Sequence, residues 1–151
     1  MAKEKARKTR RLFAICKRLK RIRKDGYKLK TGFTGTPLLL LALFDNGLDS
    51  EAYRFLYNQK YPGWIYAINL GATTIWERWN SVLDDGTING AGMNSLNHYA
   101  YGSVMEYVYR YLAGMEPLEP GFKKVRFAPR ITWRLSHLEY GYDSVSGRYS
   151  C

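Results

Sequence analysis

Two cysteines, two histidines and five prolines are all that 151 residues hold of those types. Cys16 and Cys151 lie far apart, so no disulfide framework staples the chain, and no Cys-x-x-Cys pair exists to hold zinc. His98 and His137 have no metal-ligand spacing to each other or to a cysteine, so neither a metal nor a cofactor is expected. The longest apolar run, residues 38–44, would rise about 10 Å as a helix against the roughly 30 Å of a bilayer core, which excludes it as a membrane span. Residues 12–16 are too short for the apolar core of a leader peptide, and a cytoplasmic location is the expectation. No Asn-x-Ser/Thr sequon occurs.

Aromatic residues, by contrast, make up 15% of the chain, with 13 Tyr and 4 Trp, and hydrophobic residues 46%, enough for a packed core and too much for a disordered chain. The formal charge of +11 is confined to one end. Residues 1–30 hold fourteen Lys/Arg against Glu4 and Asp25, a net of +12, and residues 31–151 hold ten basic and eleven acidic residues, a net of −1. A basic arm of this kind binds phosphate-rich partners or forms a solvated helix face.

Residues 1–10 read as a basic tail without order. Leu12, Ile15, Cys16, Leu19 and Ile22 recur with the spacing of one helix face, closed by Asp25-Gly26. Thr36-Pro37 opens a second helix, with Thr36 as its cap and an apolar run expected to be buried on most sides, and Asn46-Gly47 closes it. Asp49 caps a third helix whose inner stripe is Ala52, Phe55 and Leu56. Residues 64–68 read as a short extended piece, and residues 84–92 as a turn-rich stretch. Asn94 or Ser95 opens a fourth helix running to Ala113, with Gly114 as its C-terminal glycine. Beyond the Pro117 and Pro120-Gly121 break the period becomes two, predicting strands at 123–127, 131–135 and 145–149.

Glu77 stands apart chemically. It lies among Trp76, Arg78 and Trp79, and aromatic platforms beside a carboxylate suit a sugar, whose C–H faces stack and whose hydroxyls donate to carboxylate oxygens. An Arg–Glu surface pair among structural tryptophans is the alternative. His98, placed in the first turn of the fourth helix, reads either as a neutral hydrogen-bonding imidazole or as a satisfied core histidine. Glu106 and Arg110 are four apart on one helix and read as a surface pair, and His137 as structural.

The blocks DGYKLKTGFTGTPLLLLALFDNG, YPGWIYAINLGATTIWERWN, GMNSLNHYAYGSVMEYVYRYLAG and PGFKKVRFAPR resemble, in order and spacing, the bacterial α-L-rhamnosidases of glycoside hydrolase family 78, over about residues 10–150. The resemblance implies a mainly α fold: part of an (α/α)6 toroid of six helical hairpins, followed by a short antiparallel β segment from a β-sandwich. On that basis residues 11–116 are the C-terminal helices of the catalytic domain and 117–151 the start of the β-sandwich. It further implies an inverting glycosidase that releases L-rhamnose from rhamnosides, with Glu77 as the general base, His98 as a sugar ligand and Trp76 and Trp79 as pocket walls.

An inverting enzyme needs a second, protonated carboxyl about 6.5–9.5 Å from the base, with water between. The family carries that acid in an upstream block with no counterpart before residue 30 here. Twelve helices of about 11 residues with connections of about 5 need roughly 190 residues, against four helices expected in this chain. The expectation is therefore a fragment, barely active alone. A non-catalytic carbohydrate-binding protein, a basic helical module for nucleic acid, and a related toroid glycosidase for another sugar are the rival readings. Neither a membrane nor nucleic acid is an expected partner.

Overall fold

The computed structural model describes residues 19–132 and 134–151. The tail at 1–10 and most of the first expected helix, Cys16 included, lie outside them. Residues 19–24 form α1, which ends at Gly26, where φ is +65°. Three helices follow: α2, Thr36–Phe44; α3, Asp49–Leu56; and α4, Trp64–Asn69. A further helical stretch begins as a 3-10 turn at Ala100–Ser103, continues as α5, Val104–Tyr107, and ends as a π turn, Val108–Leu112. Two antiparallel hairpins complete the chain: β1, Met115–Pro117, with β2, Val125–Phe127; and β3, Gly141–Ser144, with β4, Gly147–Ser150.

The core lies where α2, α3 and the stretch 100–112 meet: Leu40, Leu43, Phe44, Ala52, Phe55, Leu56, Trp64, Tyr107 and Leu112 are buried together. α2 is covered on most sides as expected: Leu40, Leu43 and Phe44 are buried, Leu39 and Leu41 pack half-buried against the core, and Leu38, 64% exposed, and Ala42 face out. Thr36 is the first helical residue, not the cap. Gly35 stands before it, and the Thr36 hydroxyl turns back to the Thr31 carbonyl at 2.9 Å. Asp49 likewise sits in the first turn behind Leu48, where its charge still complements the helix N-terminus.

Four expectations are corrected. Residues 64–68 are helical: the N–H of Ala67 reaches the Gly63 carbonyl at 3.4 Å and that of Leu70 the Tyr66 carbonyl at 3.2 Å. A short apolar run carries no periodicity that separates helix from strand. The fourth helix starts at Ala100 rather than at 94 or 95. The Ser95 hydroxyl accepts the N–H of Asn97 at 3.1 Å in a local turn, which competes with helix capping. Residues 131–135 form no strand among the described residues, because Thr132 folds the chain back, its hydroxyl accepting the N–H of Arg134 at 3.0 Å and its carbonyl that of Leu135 at 3.0 Å. The piece at 145–149 is the turn and second strand of the hairpin β3–β4, with Val145 at its tip, 92% exposed.

Gly114 closes the last helix with φ +69°, as its position implies. Its backbone also touches the chain beyond β2: a Cβ there would lie 2.1 Å from the Ala128 carbonyl carbon, and the N–H of Ala128 donates to the Gly114 carbonyl at 2.8 Å. The join expected between 116 and 117 falls inside β1. Glu106 and Arg110 form the expected exposed pair, 3.7 Å apart, and His137 is exposed beside Glu139.

α1 is tied to α3 by Glu51, which is 5% exposed. Its carboxylate accepts from the Arg23 guanidinium, with Nε at 3.0 Å, and from the Tyr27 hydroxyl. Burial alone would raise its pKa; the hydrogen bonds from Tyr27 and Arg23 and the charges of Arg23 and Arg54 outweigh that and hold it below 4.5. A depressed folded pKa means stability that is present above the unfolded value and lost as pH falls through the folded one. The difference in urea midpoint between the native chain and Glu51→Gln should therefore shrink as pH falls below the ordinary value of 4.5. A pH-independent difference would contradict the assignment.

Candidate functional site

Two irregular segments lie side by side. The Glu77 N–H donates to the Ser95 carbonyl at 2.9 Å, and the His98 N–H to the Ile75 carbonyl at 2.7 Å. The Thr74 hydroxyl adds a bond to the Leu96 carbonyl. This pairing carries the WERW block alongside the NHYAYG block and brings Glu77 and His98 to one short ribbon.

Glu77 is 8% exposed. Its Oε2 accepts the Ser95 N–H at 2.7 Å, and its Oε1 makes no hydrogen bond among the described residues. It forms no ion pair there either. The neighbouring Arg78 turns away, its Nε donating to the Met93 carbonyl at 3.0 Å and its Nη2 to the Gly92 carbonyl at 2.8 Å. An Arg–Glu surface pair is thus not what this segment makes. The bond from Ser95 orients the carboxylate, and the second oxygen is left to face water or a hydroxyl.

The loop between the two segments is held by amide side chains. Asn94 Nδ2 donates to the carbonyls of Asn89, at 2.8 Å, and Ser81, at 3.2 Å, while Asn89 Nδ2 donates to the Asn80 carbonyl at 3.1 Å. Single asparagines in a turn-rich stretch give no hint of this mutual clamping, since their partners are carbonyls distant in sequence.

His98 precedes the 3-10 turn instead of lying in a helix, and its Nδ1 accepts the Ala100 N–H at 3.3 Å. That acceptor role puts the proton of a neutral ring on Nε2, which becomes a donor. Phe33 stacks on the imidazole at 5.1 Å and 22°, and Tyr99 at 4.9 Å and 21°. With rings lying on it, the imidazole offers its edge.

Trp76 and Trp79 are placed elsewhere. They line an apolar cavity of about 380 Å³ with Trp64, Ile75, Tyr101 and Val104, and neither Glu77 nor His98 borders it. Trp79 stacks on Tyr101 at 3.9 Å and 18° and meets the Trp64 edge at 5.4 Å. The Trp64 indole N–H donates to the Tyr101 carbonyl at 2.9 Å in a buried bond. Phe33 and Tyr101 escaped the sequence reading. The one signal for Phe33 is a large aromatic between glycines in TGFTG, an uneconomical place to put a core residue. Among the described residues no group of three His, Cys, Asp or Glu could hold a metal ion, and no helix is long and apolar enough to cross a membrane.

Comparison with known proteins agrees with the resemblance seen in the sequence. The profile of the bacterial alpha-L-rhamnosidase 6 hairpin glycosidase domain matches residues 4–112, and that of the bacterial alpha-L-rhamnosidase C-terminal domain matches residues 114–151. The chain belongs to the bacterial α-L-rhamnosidase family. It is 46% identical over 119 residues to an α-L-rhamnosidase of Alteromonas sp. (strain LOR), covering 79% of this chain and 13% of that protein. It is 48% identical over 111 residues to one of Formosa agariphila, covering 74% and 12%. The solved α-L-rhamnosidase of Streptomyces avermitilis, complexed with L-rhamnose, superimposes with a TM-score of 0.81 at 41% identity, over 87% of this chain and 13% of that one. The native enzyme of Aspergillus terreus gives 0.81 at 35% identity, over 85% and 15%. The chain thus spans about an eighth of the length of the curated relatives it matches.

Replacing Trp64 by Phe leaves the buried Tyr101 carbonyl without its donor, which should cost about 1–3 kcal/mol in urea denaturation. A loss below about 0.5 kcal/mol would show that the bond does not hold the ring stack in place.

Proposed function

We propose that the chain is part of an inverting α-L-rhamnosidase, a segment of its (α/α)6 toroid together with the first strands of a β-sandwich, and that Glu77 is the general base. The observation that carries this reading is the Glu77 carboxylate, buried, fixed through one oxygen by the Ser95 N–H and free of any cation partner among the described residues. A base must be ionised and oriented yet retain an oxygen for the proton it takes. His98 donates from Nε2 to a sugar hydroxyl. Trp76 and Trp79, in this reading, back the pocket from behind rather than beside Glu77. The acid that protonates the leaving oxygen is assigned to the part of the longer relatives that this chain does not match.

A membrane and nucleic acid have no place in this proposal. The basic residues of 19–30 lie on α1 and the loop after it, and Glu77 and His98 on the ribbon at 74–98. The rival view, a carbohydrate-binding protein without catalysis, uses the same ribbon and differs in one measurable respect, turnover.

The test is a chimera in which residues 19–151 replace the matching segment of the Streptomyces avermitilis enzyme. It should hydrolyse a chromogenic α-L-rhamnoside, and proton NMR of the first product should show the inverted β anomer. Glu77→Gln in the chimera should lower turnover by about 10²–10⁴-fold with the circular dichroism spectrum unchanged. Undiminished turnover would remove Glu77 from the mechanism, and first release of the α anomer would replace the inverting scheme with a retaining one.

A further inference from the structure

The turn that precedes α2 does more than connect. The N–H groups of Gly35 and Thr36 both donate to the Gly32 carbonyl, at 3.1 and 3.0 Å. The Thr31 and Thr36 hydroxyls meet at 2.8 Å, and Thr36 also donates to the Thr31 carbonyl at 2.9 Å. Gly35 packs so tightly against Thr31 that a Cβ there would lie 3.1 Å from the threonine Cβ. A loop closed this firmly holds its tip in one place, and the tip is Phe33.

Phe33 is 42% exposed, an unusual position for a large ring on a rigid turn. It does not point idly into solvent. It stacks on His98 at 5.1 Å and meets Tyr101 at 5.4 Å. Tyr101 in turn carries Trp79 and accepts the Trp64 N–H, so Phe33 stands at the end of an aromatic series rooted in the core. One side of its ring therefore fixes the plane of the imidazole, and the remaining surface stays open beside the His98 edge.

We propose that Phe33 is a sugar-contacting and positioning residue of the His98 subsite: its exposed surface packs against the apolar C–H edge of a neutral sugar while its stacked side aims His98 Nε2 at a hydroxyl of the same ring. The inference rests on the glycosidase reading of Glu77 and His98 and adds a residue from a segment distant in sequence. Apolar stacking against a C–H face needs a rigid, half-covered aromatic, and a hydrogen bond from the imidazole edge needs that edge held in one orientation.

The test is an NMR titration of the full 151-residue chain with L-rhamnose, following the ring protons of Phe33 and His98 and the amide of Ser95. Rhamnose should shift all three. Phe33→Ala should remove the ring-current displacement of the His98 protons and weaken rhamnose binding about fivefold or more, while Phe33→Tyr restores both. Phe33→Leu, which keeps apolar volume on the turn, serves if the alanine variant does not fold, and it should show the same two losses. Shifts at His98 and Ser95 with Phe33 silent, or unaltered affinity in a folded Phe33→Ala or Phe33→Leu variant, overturn the role of Phe33 and leave the site reading standing. No response at His98 or Ser95 overturns the site reading and this inference with it.

Discussion

The buried bond from the Trp64 indole to the Tyr101 carbonyl, with Trp79 stacked on the same tyrosine, is the constraint on which the site depends. It joins three segments: the start of α4, the end of the WERW block and the 3-10 turn after His98. In water such a bond contributes little net, but a carbonyl buried without its donor costs the full desolvation of that group. The stack therefore acts less by attraction than by excluding alternatives. With Trp79 and Tyr101 face to face, the strips before them are brought close enough to pair, and Glu77 receives the Ser95 N–H.

The electrostatics of that carboxylate separate two roles that sequence composition alone leaves mixed. A glutamate paired with arginine is a stabilised anion and a poor proton acceptor. A glutamate held by a single amide keeps an unspent oxygen. Arg78, the residue best placed to neutralise Glu77, is occupied with the carbonyls of Gly92 and Met93. Its charge thus fastens the loop instead of pairing with Glu77. The +11 of the whole chain plays no part here, because it belongs to the first thirty residues.

Much of the helical architecture was legible because local signals and burial agreed. Pro37 with a run of leucines gave α2, Asp49 with Ala52, Phe55 and Leu56 gave α3, and Gly114 marked a helix end that the structure realises with a positive φ. Glu77 and His98 drew notice through residue type and through family resemblance, and the structure sets their segments side by side. The parts that escaped depend on distant partners. α4 is helical although its first five residues show no period, and its Trp64 is committed to Tyr101, thirty-seven residues on. Ser95 offered a fair helix cap, yet its N–H went to Glu77 and its hydroxyl to Asn97. Trp76 and Trp79, grouped with Glu77 by adjacency, line a cavity that the carboxylate does not border.

The chain just beyond β2 has a consequence for how the two matched segments relate. The Arg130 N–H donates to the carbonyls of Tyr111 and Leu112 at 3.3 and 3.2 Å, its own carbonyl accepts the Tyr53 hydroxyl, and the Tyr140 hydroxyl donates to the Ala113 carbonyl at 2.8 Å. The boundary between the helical and β portions is therefore a weld, not a hinge. In a protein assembled from modules, such a joint makes the C-terminal segment a brace for the end of the last helix rather than an independent appendage.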